Sequence, residues 1–149
     1  TSSYLDLCEY IQYQLQKIGI KVKVEVNPPS THRQMVSTSK LDFFRGSWIA
    51  DYPDSENYLS LFYTPNFSPD GPNYTHFSDV EFDSLYLEAL SIVDSKKRID
   101  LYRRMNYIIS EKAAVVPLYY DQVLRFFHKD IKGFNTNAMN SLNLKKVRK

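Results

Sequence analysis

Two acids, Asp51 and Asp54, stand three residues apart in the stretch Gly46-Ser47-Trp48-Ile49-Ala50-Asp51-Tyr52-Pro53-Asp54-Ser55-Glu56-Asn57-Tyr58, which also holds the only tryptophan. A carboxylate beside an indole face suits an ammonium group. The charge pairs with Asp51, and the cation or the carbon skeleton behind it packs on Trp48. Pro53 presets φ and removes a backbone donor, which stiffens the turn between the acids. The same residues also have a purely structural reading. Asp54 precedes a helix start and can accept from the first helical N–H groups, Asp51 can close an Asx turn, and Trp48 can belong to the core. Residue types and spacing leave both readings open.

Other chemistries find less support. His32, His76 and His128 are scattered and Cys8 is alone, so no metal-ligand spacing exists and no metal is assigned. His32 and His128 read as surface residues, and Cys8 as a buried thiol among Leu5, Leu7 and Ile11. The four glycines are isolated, which excludes the dinucleotide fingerprint and the P-loop, and no Gly-x-Ser-x-Gly is present. Asp51, Asp54 and Glu56 supply an acid–base pair for glycoside hydrolysis in principle. Nothing else in the chain supports a carboxylate-dependent hydrolase, so no catalytic residue and no cofactor is assigned, and the chain reads as a non-enzyme. A net charge of +2 gives little drive toward nucleic acid, and the terminal run Lys145-Lys146-Val147-Arg148-Lys149 reads as a solvated tail. With 12 tyrosines and 15% aromatic residues, the chain suits a surface that packs and hydrogen-bonds at once, or a half-buried sheet.

The elements that must position the acids follow from periodicity. Ser2 or Ser3 caps a helix to about Ile18, and Gly19 stops it. Residues 20–26 alternate Ile20, Val22, Val24, Val26 against Lys21, Lys23, Glu25, the pattern of a half-buried strand. After the turn Asn27-Pro28-Pro29-Ser30, Ser30 caps a short helix to about Ser39. A strand over 42–48 parallel to 20–26 makes a βαβ unit and puts Trp48, Asp51 and Asp54 at its carboxyl end, where open α/β sheets bind ligands. A short helix covers 55–62, and Pro65, Pro69, Gly71 and Pro72 make 64–75 a loop. Two further helices form a hairpin. One starts at Ser78 or Asp79 with Phe82, Leu85, Tyr86, Ala89, Leu90 and Val93 inward. The other starts at Asp94 or Ser95 and runs to about Ala113, with Ile99, Tyr102, Met105, Ile108 and Ile109 inward. Strands are expected at 115–120, 123–128 and near 132–134, with 135–143 irregular. At 149 residues, 43% of them hydrophobic, this is one domain, and no stretch approaches the ~20 apolar residues of a membrane span.

The segment Trp48-Ile49-Ala50-Asp51-Tyr52-Pro53-Asp54, followed by Asn57-Tyr58-Leu59 and Leu61-Phe62, resembles the signature of extracytoplasmic solute-binding proteins of the dipeptide/oligopeptide/nickel ABC-transporter family, family 5. Gly71-Pro72-Asn73-Tyr74, Phe82-Asp83, Lys97-Arg98-Ile99-Asp100-Leu101-Tyr102, Val116-Pro117-Leu118-Tyr119 and Ile131-Lys132-Gly133-Phe134 follow in the family's order. The resemblance runs from about Tyr4 to the end and implies the C-terminal lobe of a periplasmic-binding-protein-like (type II) α/β fold, with a mixed sheet and flanking helices, spanning residues 1–149. It implies capture of a peptide or similar small solute between this lobe and the N-terminal lobe of the same parent chain, followed by docking on the membrane permease of an ABC importer. It implies a periplasmic or otherwise extracytoplasmic location, with lipid anchoring through an N-terminus outside this chain as one arrangement. Members of the family differ over which acid takes the ligand's ammonium, at the position of Asp51 or that of Asp54; Asp51 ranks first here. Trp48 and Tyr52 would form pocket walls, and Asn73 and Tyr74 would flank the cleft. A stand-alone interaction module keeping the lobe's fold is the alternative, and it needs no open Asp51.

Overall fold

The computed structural model describes residues 2–137 and 141–149. It divides into two compact units, Thr1–Ser47 and Trp48–Lys149. In the first, α1 (Ser2–Lys17) is followed by α2 (Pro29–Ser37). The stop expected at Gly19 is present in detail. Gly19 takes φ +84°, its N–H donates to the Gln16 carbonyl at 3.0 Å, and the Ile20 N–H reaches back to Leu15 at 3.0 Å. This is the paired closure that a left-handed residue permits. The side-chain caps expected of Ser2 or Ser3 lie outside the described residues. α2 begins one residue before the expected Ser30 cap, because Pro29 occupies the first helical position, where its missing N–H costs nothing. Cys8 is half-buried, not buried, and His32 is not a free surface residue: its Nε2 lies 3.1 Å from the Arg45 carbonyl. The Arg45 guanidinium in turn sits 3.8 Å from the Tyr4 ring centre.

In the second unit the expected helical hairpin forms the core. A stub, α3 (Glu56–Leu59), runs into a 3₁₀ turn at Ser60–Phe62 and another at Thr64–Asn66, before α4 (Val80–Ser91) and α5 (Ser95–Glu111). Asp79 caps α4 by accepting from the Phe82 N–H at 2.9 Å, and Asp94 caps α5 through the Lys96 and Lys97 N–H groups at 2.8 and 3.3 Å. Phe82, Leu85, Tyr86 and Ala89 of α4 meet Leu101, Tyr102, Met105 and Ile109 of α5, with Leu59 completing the cluster. Leu90 and Val93 are exposed, contrary to the expected face, and Leu101 replaces Ile99 on the buried side of α5. The helix stripe is therefore narrower than the run of apolar residues suggests. Edge-to-face contacts of Phe62 and Phe82 with Phe77 (6.0 and 5.6 Å between ring centres) close one end of the core.

The loop over 64–77 is tightly built. Asn73 is fully buried, donates from Nδ2 to the carbonyls of Tyr63 (3.1 Å) and Phe77 (2.9 Å), and pairs with Phe67 in an isolated parallel bridge. A Cβ at Gly71 would stand 2.4 Å from the Asn66 carbonyl oxygen. No larger residue fits without a backbone shift.

Among the described residues no strand forms, so the expected strands at 20–26, 42–48, 115–120, 123–128 and 132–134 are not seen. Lys132 and Arg148 make one isolated antiparallel bridge with N–H···O distances of 2.8 and 3.0 Å. A strand is held by hydrogen bonds to a neighbour, not within itself. These segments keep their apolar residues but find no ladder partner here: Ile20, Val26 and Phe43 are exposed, as are Val116, Tyr120, Leu124 and Phe126. Of the region expected to be irregular, 135–143, residues 138–140 lie outside the described residues.

Candidate functional site

The turn carrying the acids is organised by Asn57, which its type marks only as one residue of Asn57-Tyr58-Leu59. Asn57 lies at the start of α3 and is 5% exposed. Its Oδ1 accepts from Trp48 Nε1 at 2.7 Å and from the Asp51 backbone N–H at 3.2 Å. One buried carboxamide oxygen thus fixes the indole and the backbone of Asp51 together. An aspartate at this position would keep the acceptor but bury a charge.

The two acids have different employment. Asp54 forms an ion pair with Arg98 of α5, accepts from the Tyr102 hydroxyl at 2.8 Å and accepts from the Glu56 N–H at 3.0 Å. Arg98 is itself held against Tyr102, with Nη2 and Nε lying 2.8 and 3.1 Å from the hydroxyl oxygen. The Asp54 and Arg98 side chains are 30% and 29% exposed, so the pair is neither surface nor core. Asp51 is exposed, and its carboxylate has no hydrogen-bond or ion-pair partner among the described residues.

A third acid is also committed. Glu56 accepts from the hydroxyls of Tyr52, within the turn, and Tyr86, on α4. The Tyr86 phenol is pushed well above its ordinary value, first by burial and then by its bond to Glu56; both favour the protonated form. The Tyr52 phenol is raised as well, chiefly by its bond to Glu56. Tyr86 also stacks on Tyr63, 4.5 Å between ring centres.

The structure therefore gathers Trp48, Asp51, Tyr52 and Asp54 around Asn57 and Glu56. Asn73 stands apart from that network: both donors of its amide are spent on carbonyls of its own loop, and its Oδ1 accepts from the Thr75 hydroxyl at 3.2 Å. Tyr74, next to it, is exposed. His76 belongs to the same loop, with Nε2 2.9 Å from the Ser68 carbonyl and its ring stacked on Phe67. Among the described residues, no group of three or more His, Cys, Asp or Glu side chains is placed to hold a metal ion. No helix among them is long and apolar enough to cross a membrane.

Residues 1–70, which include the whole acidic turn, match the model of the bacterial extracellular solute-binding proteins, family 5 Middle. Over 128 residues, 86% of this chain, the sequence is 27% identical to a dipeptide-binding protein of Pseudomonas aeruginosa and 28% identical to the probable D,D-dipeptide-binding periplasmic protein DdpA of Escherichia coli. These matches support a fragment of a family 5 solute-binding protein. The structure of HbpA2 from Haemophilus parasuis superposes over 95% of this chain with a TM-score of 0.71 at 22% identity, so the two share a fold. The chain spans about a quarter of the length of the curated relatives named above and covers 28% of the HbpA2 chain.

Proposed function

We propose that this chain supplies the C-terminal lobe of the substrate-binding component of an ABC-type importer, and that Asp51 takes the α-ammonium of a peptide or similar small solute. The observation that carries the reading is the contrast within one turn: Asp51 offers an open carboxylate, whereas Asp54 is engaged by Arg98, Tyr102 and a backbone N–H. A carboxylate–ammonium hydrogen bond is worth about 1.5–3 kcal/mol. Trp48 and Tyr52 wall the site, Tyr74 flanks it, and Asn73 serves by fixing the loop that presents Tyr74. The partners are an N-terminal lobe of the same parent chain, which closes over the ligand, and a membrane permease, with the whole acting outside the cytoplasm. The dipeptide-binding relatives support a peptide as the solute.

Calorimetric titration of the full-length protein with di- to pentapeptides, free and N-acetylated, tests this. The expected result is binding that N-acetylation weakens about tenfold or more and that Asp51→Asn weakens to the same extent. Peptide binding indifferent to both changes would remove Asp51 from the site.

A further inference from the structure

A turn with three acids within six residues should attract multiply charged cations, yet this one has two of its acids already occupied. Glu56 is shared by two phenols. Asp54 is neutralised by a guanidinium, and the Tyr102 hydroxyl bridges the pair by accepting from Arg98 and donating to Asp54. Arg98 is 44 residues away in sequence and comes from a different element, the first turn of α5. Asp94 caps that turn two residues before Lys96, so the position of the guanidinium is set by a capped helix and not by a loose surface arm. At about one-third exposure, the pair lies close enough to solvent for a ligand charge to sense it.

Resting on the Asp51 reading, we infer that Arg98 is a specificity-determining residue: by cancelling Asp54 it leaves the turn with one open negative charge, so the site selects solutes that present a single cationic group at this end and discriminates against those presenting two. Arg98 acts through Asp54 and touches no ligand. Its contribution is to remove a second charge partner, a form of selectivity that works by withholding an attraction. An arginine suits the task because it stays charged at any working pH, and its planar fork engages the carboxylate and the hydroxyl together.

The test compares Lys-Ala with its Nε-acetyl form, two probes of similar size that differ by one positive charge near the N-terminus, on the full-length protein by calorimetry. In wild type the two bind alike or the acetylated form binds better. Arg98→Gln frees Asp54 and shifts the affinity ratio toward Lys-Ala by roughly fivefold. Asp54→Asn, which leaves the guanidinium unopposed, shifts the ratio the other way. The double variant, Arg98→Gln with Asp54→Asn, returns it to the wild-type value, and Arg98→Lys holds it near wild type because the charge is kept. A merely structural role would depress binding of both probes in every variant and move no ratio. An unchanged ratio in both single variants that still distinguish free from α-N-acetylated peptide overturns the inference and leaves Asp51 in place. Failure of wild type to bind either probe, or any free peptide, overturns the Asp51 reading and the inference with it.

Discussion

The α4–α5 hairpin and the segment 115–128 are both rich in apolar and aromatic residues, but they end up in opposite environments. Phe82 is 0% exposed and Phe126 is 94% exposed. The hairpin satisfies its backbone within each helix and needs a neighbour only for its stripe, which the adjacent helix supplies. Asp79 and Asp94 stop the leakage of unpaired N–H groups at each start. The segment after it carries Val115, Val116, Val123, Leu124, Phe126 and Phe127 in a strand-like pattern. Its hydrogen-bonding must come from another strand, and none pairs with it among the described residues. Apolar content is thus no measure of burial; what matters is whether the partner lies in the next helix or in another strand.

The largest effect is expected in the hairpin. Phe82→Ala should cost about 3–5 kcal/mol in denaturant unfolding, whereas Phe126→Ala should stay within about 0.5 kcal/mol. Equal effects would mean that the segment is packed in solution. Next in size, Gly71→Ala forces a Cβ against the Asn66 carbonyl oxygen, 2.4 Å away, and should lower stability by about 1–3 kcal/mol; the same midpoint measurement checks it. Removing a cap with Asp94→Ala should cost about 1 kcal/mol and speed amide exchange at Lys96 and Lys97.

The smallest effect appears at high pH. Tyr86 has an ordinary value of 10.0 that is raised in the folded chain by burial and by Glu56. A raised value means the folded state holds its proton more tightly. The stabilisation is therefore complete below the unfolded value and is lost as pH climbs past about 10. Tyr86→Phe should remove this component from the alkaline fall in melting temperature, at the cost of about 0.5–1.5 kcal/mol at neutral pH for the lost hydrogen bond. An alkaline limb unchanged in Tyr86→Phe would show that other groups set it.

The helices were legible because their signals are local. Gly19, Asp79 and Asp94 act within a few residues, and the spacing of Phe82, Leu85, Tyr86 and Ala89 marks a stripe without reference to anything else. The strand pattern at 20–26 was equally visible, but a pattern does not name the partner. The acids show the same limit at the site. Asp51 and Asp54 are equivalent by type and spacing, and the groups that separate them, Arg98 and Tyr102, come from 44 and 48 residues further on. Asn57 had a faint local signal, an amide six residues after Asp51, but nothing in its type announces a buried acceptor serving two donors.

Thermal unfolding paired with peptide titration of Asp51→Asn and Asp54→Asn in the full-length protein tests the division of labour between the two acids. Asp51→Asn should leave stability within about 0.5 kcal/mol and abolish the advantage of free over N-acetylated peptide. Asp54→Asn should lower stability by about 1–2 kcal/mol and keep that advantage. The reverse pattern, a stable Asp54→Asn variant that no longer distinguishes the two peptides beside an Asp51→Asn variant that still does, would contradict that division.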